Sequence, residues 1–302
     1  MTIGVIGVSG FIGQYFTRMA LQEGNSIIGW DIVEPKRDFM TDRFQFCLWN
    51  MDTPLPAEDL KKCDGVVNLA AKRPCGKFVI QDYFYNIDIA VKVIESCRES
   101  GIKNVVTISS RSVYSDERLP WKEEQSNIPV NLYGAAKAAV DDIVKLYNIQ
   151  YDMCIKSLRL AQVLGLGERK GYLLNTFIDR AAKKETLEIW GTGEGKRQYI
   201  YVKDVVSAIM AALGSQSGGI YNIGMPGSIS TRELEKLINH VFDNEGNFRI
   251  YKDKKEDLSN KEMDVTKAKR DLGWEASYTM ETALNDIKKT ICEGSNEQGY
   301  RQ

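Results

Sequence analysis

With 302 residues the chain can bury either one large α/β core or two smaller ones sharing a cleft, and two domains are expected. Charged side chains make up 27% of it, yet the formal net charge is only -1, so no global field draws it to nucleic acid or to an anionic membrane. From Met1 the chain runs straight into "TIGVIGVSG" without the pattern of a secretory leader, and no apolar run reaches membrane-spanning length. A cytoplasmic location and no membrane partner are therefore expected.

Taken in order, apolar runs of strand length alternate with amphipathic stretches: "TIGVI", a helix over 10–23, "SIIGW", "FQFCLW", "GVVNLA", a helix over 80–99, "NVVTIS", a helix over 131–148, and "CIKSLRL". Strands apolar on both faces between helices predict an α/β fold built on a doubly wound parallel sheet. From about residue 160 the rhythm changes, with glycine clusters at "GLGERKG", "WGTGEGKRQ" and "SQSGG" and helical candidates over 171–184, 203–213 and 230–242. Residues 251–262 are so charged that a solvated loop is expected, before a last helical pair around "TKAKRDL" and "TMETALNDIKK". The division predicted is an N-terminal domain over 1–159 and a smaller C-terminal α/β domain over 160–302, with segments near 187–222 returning to the first.

Gly7, Gly10 and Gly13 stand in "GVSGFIG", after a strand-like run and at the start of a helical pattern. Where a strand turns sharply into a helix, missing side chains let backbone approach a pyrophosphate seated on the helix N-terminus. The next strand ends at Asp31, an acid able to accept hydrogen bonds from both hydroxyls of an adenosine ribose and to repel a 2'-phosphate, which favours NAD over NADP. Lys36 and Arg37 close by pull the other way. Read blandly, the glycines only permit tight strand–helix packing.

Tyr133 and Lys137 are one helical turn apart on one face. A phenol with an ordinary pKa of about 10 has to fall by ~3 to act as a base near neutrality, a stabilisation of the phenolate of ~4 kcal/mol. A lysine cation and an oxidised nicotinamide supply a field of the right sign. By itself the pair could equally be an aromatic packed at a helix end beside a solvated lysine. His240 is the only histidine and lies far in sequence from both sites, which argues against serine-triad and histidine-metal chemistry and leaves Tyr, Lys, Asp or Glu to move protons. Ser109 and Ser110 fall at the carboxyl end of "NVVTIS", the edge where parallel sheets bind ligands, and Ser110 can donate a hydrogen bond to a reacting oxygen. The six cysteines, Cys47, Cys63, Cys75, Cys97, Cys154 and Cys292, form no CxxC pair and have no nearby histidine, so no metal site is expected.

In combination, "GVSGFIG", Asp31, "GVVNLAA", Asn86 before a long helix, "SSRSVY", "YGAAK", "GTGEGKRQYIYVKDV", "YNIG" and "AKRDLGW" resemble the extended short-chain dehydrogenase/reductases. The likeness is to their NAD-dependent epimerase/dehydratase group acting on nucleotide sugars, UDP-glucose and UDP-N-acetylglucosamine 4-epimerases above all, and runs from the first strand to about residue 291. It implies a Rossmann domain with NAD held by Gly7, Gly10, Phe11, Ile12, Gly13, Asp31, Leu69, Ala70, Ala71 and Asn86, together with Tyr133 and Lys137. It makes Tyr133 the base, Lys137 its electrostatic and ribose partner, and Ser110 the group that assists at the sugar hydroxyl. On the substrate side it implies Ser110, Gln162 beside the sugar, and Arg197 and Asn175 on the diphosphate. Arg111 either faces solvent or recognises an acidic group on the sugar. A homodimer through helices 80–99 and 131–148 is likewise implied only by the family.

Departures from the pattern bear on substrate and reaction. Asn68 stands where histidine is frequent, "AQVLG" with Ala161, Gln162 and Leu164 replaces "PNVYG", and "YKDKKEDLSN" replaces a motif carrying a second phosphate-binding arginine. Arg111 and Ser112 occupy the positions of the Asp-Glu pair with which dehydratases of the family move protons, so water elimination lacks its acid and base. The expected activity is a nucleotide-sugar 4-epimerase with a transient 4-keto sugar. The competing expectations are an NAD(P)H-dependent reductase of a nucleotide 4-keto sugar and a catalytically silent dinucleotide-binding protein.

Overall fold

The computed structural model describes residues 1–35, 39, 41–73, 78–115, 118–125, 127–169 and 171–296; Lys36, Arg37 and Cys75 lie outside them. Seven strands form one parallel sheet: β1 (Thr2–Ile6), β2 (Ser26–Asp31), β3 (Phe44–Leu48), β4 (Gly65–Asn68), β5 (Asn104–Ser110), β6 (Cys154–Leu160) and β11 (Gly219–Ile223). Their spatial order is β11-β6-β5-β4-β1-β2-β3. The chain thus builds outward from β1 to β3, then restarts on the other side of β1 with β4. That reversal opens a crevice at the carboxyl ends of β1 and β4.

Both faces of the sheet are covered, and the strand sequences state why. Neighbouring residues point to opposite faces, so Val5, Val67 and Val106 pack under α1 (Phe11–Gln22) and α6 (Val202–Gly214), while Ile6, Val66 and Val105 pack under α3 (Ile80–Glu99) and α4 (Leu132–Gln150). Helix α1 buries Gly13, Phe16, Thr17, Ala20 and Leu21, a stripe at the spacing a one-sided helix requires. A four-residue helix, α2 (Ala57–Leu60), adds Leu60 beneath the α3 side.

Residues 202–223 return to this sheet from late in the chain. Helix α6 seals one face and β11 pairs with β6 as the edge strand, Ile223 opposite Leu160. The remaining elements form a second core: α5 (Leu173–Ala182), α7 (Thr231–Val241) and α9 (Met280–Asn296) enclose Phe177, Leu187, Ile189, Leu234, Ile238 and Leu284. Its strands come in small sets, β7 (Gln162–Leu164) with β10 (Tyr199–Tyr201), β8 (Leu187–Trp190) with β13 (Phe248–Tyr251), and β9 (Lys196–Arg197) between β12 (Ile229–Ser230) and β14 (Asn260–Lys261). Helix α8 (Thr266–Leu272) ends on Gly273 in the left-handed region. The 251–262 stretch, expected as solvated loop, is therefore anchored at both ends by strands. Among the described residues no helix is long and apolar enough to cross a membrane, and no group of three His, Cys, Asp or Glu could hold a metal ion.

A charged cluster is sealed between α4 and the sheet. The Arg159 and Asp141 side chains, both fully buried, form an ion pair at 2.7 Å. Arg159 also donates to the Tyr114 hydroxyl at 2.6 Å and to Asn127 at 2.7 Å, Ser157 donates to Asp141 at 2.5 Å, and Tyr114 donates to Asn222 on β11 at 2.8 Å. Every member is satisfied, which is the condition under which a buried charge is tolerated. Arg159→Met leaves Asp141 buried without its cation and is expected to cost about 3–5 kcal/mol, read as a drop in urea midpoint, with most of the loss recovered in the double variant Asp141→Leu/Arg159→Met.

Candidate active site

The crevice above β1 and β4 begins with a bare turn. Gly7 has φ +84°, and a Cβ there would lie 2.8 Å from the Ala70 nitrogen; one on Gly13 would lie 2.2 Å from the Gly7 oxygen. The two positions press α1 and the β4 end against the turn, leaving backbone N–H groups at the start of α1 with no capping side chain and no acid in the first turn. Such an end suits a phosphate. Asp31 ends β2 beside it, Oδ2 accepting the Ser9 N–H at 2.9 Å and Oδ1 that of Ile32 at 2.7 Å, which fixes the carboxylate while each oxygen keeps a lone pair for a ribose hydroxyl. Phe11 turns toward the second core and packs edge-on against Tyr15, whereas Ile12, Leu69 and Ala71 line a cavity of about 240 Å³. The side chain of Asn86 is spent on backbone: it accepts the Lys72 N–H at 2.8 Å and donates to the Lys72 oxygen at 3.0 Å, holding the loop after β4 in place.

Ser110, Tyr133 and Lys137 line that same cavity. Ser110 closes β5, accepts the Ser112 N–H and donates to the Ser112 hydroxyl, both at 3.2 Å. Asn131 caps α4 by accepting the Gly134 N–H at 2.8 Å, and this start of the helix sets Tyr133 in its first turn with Lys137 one turn on. The Lys137 ammonium donates to the Ile108 oxygen at 2.7 Å and stands 5.9 Å from the centre of the Tyr133 ring. Burial pushes the Tyr133 phenol up to about 12, against the pull of Arg73, and pushes the Lys137 ammonium down to about 8, against the support of Asp141. The protein's own groups therefore leave the phenol above its ordinary value, and the descent a base requires needs a further positive charge in the cavity.

Arg111 and Gln162 also line the cavity. Asn175 does not: it borders a separate surface hollow of about 190 Å³ and donates to the Arg169 oxygen at 3.0 Å. Arg197 lies outside the cavity wall as well, paired with Asp257 at 3.3 Å. Burial raises the Tyr199 phenol while Arg197 and Arg111 both act to lower it. His240 is exposed on α7, 3.3 Å from Glu245 and away from the cavity. Three cavity residues carry no signal in the sequence: Arg73, Glu168 and Tyr172, joined by contacts made across 95 to 99 positions of chain.

The model for the NAD dependent epimerase/dehydratase family matches residues 3–224. The chain belongs to that family. Among its relatives in the family is the UDP-glucose 4-epimerase of Mycolicibacterium smegmatis, 28% identical over 306 residues, 95% of this chain and 96% of that one. The crystal structure of UDP-N-acetylglucosamine 4-epimerase from Bacillus cereus is 29% identical with a TM-score of 0.85, covering 97% and 96% of the two chains. The UDP-glucuronic acid 4-epimerase of Bacillus cereus, solved with UDP-glucuronic acid and NAD, has the same fold at 23% identity and a TM-score of 0.83, covering 97% and 99%. The cofactor of the family, NAD, fits the turn at Gly7 and Gly13 and the carboxylate at the end of β2.

One acid anchors the charged 251–262 stretch of this family member. Glu256 accepts the backbone N–H groups of Thr192, Gly193 and Gly195 and the Thr192 hydroxyl, at 2.7 to 3.0 Å. Burial raises its carboxyl, but those N–H groups outweigh it and the net position is below the ordinary value. A depressed carboxylate adds stability that is present above its unfolded pKa, about 4.3, and lost as pH falls through the folded value. Glu256→Gln is accordingly expected to cost about 1–2 kcal/mol at neutral pH and to converge on the unaltered protein in acid, as read by urea unfolding at a series of pH values.

Proposed function

We propose that this protein is an NAD-dependent 4-epimerase of a nucleotide sugar, of the UDP-hexose or UDP-N-acetylhexosamine type. The observation that carries the reading is the meeting of Tyr133, Lys137 and Ser110 in one cavity at the sheet edge where the bare Gly7 turn opens. In this reading the α1 N-terminus takes the pyrophosphate of the dinucleotide, Asp31 its adenosine ribose, and Ile12, Leu69 and Ala71 give an apolar wall. Bound NAD would supply an acceptor that takes hydride from C4 of the sugar and returns it, and a positive ring whose field favours phenolate.

Tyr133 removes the proton of the C4 hydroxyl as a ketone forms, and Ser110 donates a hydrogen bond to the same oxygen. Lys137 stabilises the phenolate and holds a ribose hydroxyl. Once the 4-keto sugar has presented its other face, Tyr133 gives the proton back, so proton and electron pair both return and the net redox change is zero. Arg111 and Gln162 fall on the sugar side, and Arg197, once released by Asp257, is the cation for the diphosphate.

Tyr133→Phe should bind NAD as the unaltered protein does while turnover falls by about 10²–10⁴; full activity in that variant ends the assignment. Interconversion of two UDP-sugars with no added coenzyme separates an epimerase from a 4-keto reductase, which would consume one reduced coenzyme per product.

Exposed apolar side chains on α3 and α4 support a homodimer. Phe84, Leu146 and Ile149 are 61%, 52% and 80% exposed on two helices that pack side by side, and a second copy of the same helices would cover them. Light scattering should give a mass of two chains, falling to one in Phe84→Glu/Ile149→Glu with the circular dichroism unchanged.

A further inference from the structure

Arg73 and Glu168 border the cavity yet have no part in the reaction just set out. Arg73 leaves the loop after β4, and Glu168 the loop between β7 and α5, so they face each other across the cleft. Arg73 Nη1 donates to both carboxylate oxygens of Glu168, at 2.9 and 3.0 Å, and Nη2 lies 3.4 Å from the Tyr172 hydroxyl. The Glu168 side chain is 3% exposed and that of Arg73 40%. An acid so far removed from water has to be paired, and the Arg169 N–H at 2.6 Å together with Arg73 does this.

We propose that Arg73 is a positioning residue of the site, a second cation whose field reaches the Tyr133 phenolate, and that Glu168 governs how much of that field is available. The proposal rests on Tyr133 as the base.

The charged and titratable groups that line the cavity with Tyr133 are Lys137 on α4, Arg73 after β4, Arg111 after β5, and Glu168 and Tyr172 after β7. Behind the burial that raises it, Arg73 pulls the phenol down, while Tyr172 and Glu168 push it up. Lys137 is an ammonium that burial has brought to about 8, helped by Arg73, so it loses charge in mild alkali. A guanidinium keeps its charge throughout. As the phenol ionises, Arg73 is thus the cation that persists, and Glu168 is the partner that competes for it.

The pair has a signature that a purely structural contact lacks, because its two halves act on Tyr133 with opposite sign. Near-ultraviolet phenolate absorbance is titrated in the cofactor-free and NAD-bound protein, and the same titration of a matching Tyr133→Phe protein is subtracted from each. Arg73→Met should move the Tyr133 midpoint up and the near-isosteric Glu168→Gln should move it down, each by about one pH unit, a tenfold change in phenolate fraction. The double variant should return close to the starting midpoint. The pH profile of kcat with a UDP-hexose should shift in the same two directions. Displacement of both single variants in one direction, or of neither, overturns the proposal; should Arg73→Met fail to fold, the sign of the Glu168→Gln shift decides alone. Opposite shifts in the titration without turnover of any UDP-sugar would leave Arg73 as assigned and defeat the epimerase reading instead.

Discussion

Burial works against both members of the Tyr133–Lys137 pair. Taking a phenol and an ammonium out of water within one helical turn raises the first and lowers the second, so each is moved toward its uncharged form. In the role proposed for the pair, positive charge added beside the phenol is what favours phenolate. The rest of the architecture serves that condition. The reversal of strand order at β1 and β4 makes room for a dinucleotide at the right edge, β5 brings Ser110 to the same edge, and the Asn131 cap fixes where α4 begins.

Behind the pair, Asp141 stands one turn beyond Lys137 and is itself held by Arg159 and Ser157. That chain continues through Tyr114 to Asn222 on the last strand of the sheet. The support of Lys137 is therefore not local to α4; it draws on residues from β6, the turn after β5 and β11. A buried, fully satisfied cluster of this kind gives one arrangement rather than several.

Much of this was legible in the sequence because parallel strands are apolar on both faces and helices are apolar on one. "TIGVI", "GVVNLA" and "NVVTIS" read as buried strands, and α1 and α4 as amphipathic helices, at nearly the boundaries the structure has. Gly7, Asp31, Ser110, Tyr133 and Lys137 could be placed because each sits at a strand end or a helix start, where position follows from the element. Strands of two or three residues such as β9, β12 and β14 have no period to detect. The pairing of Arg73 with Glu168 left no trace either, since both lie in polar loops and meet only through the tertiary fold. Asn175 lies on α5 and Arg197 on β9, and the direction of each side chain depends on Arg169 and Asp257, which nothing local announces.

The late return of α6 and β11 has a consequence for how the chain is made. When β6 leaves the ribosome at Leu160, the sheet still lacks its outer strand, and the face over Val67 and Val106 still lacks half its cover. Both arrive only after α5 and the first small strands of the second core have been synthesised. The seven-stranded sheet thus cannot close by itself before β11 is made. A protease cut or premature stop between 160 and 219 would leave an unpaired strand edge and an uncovered apolar face, the two features that invite aggregation.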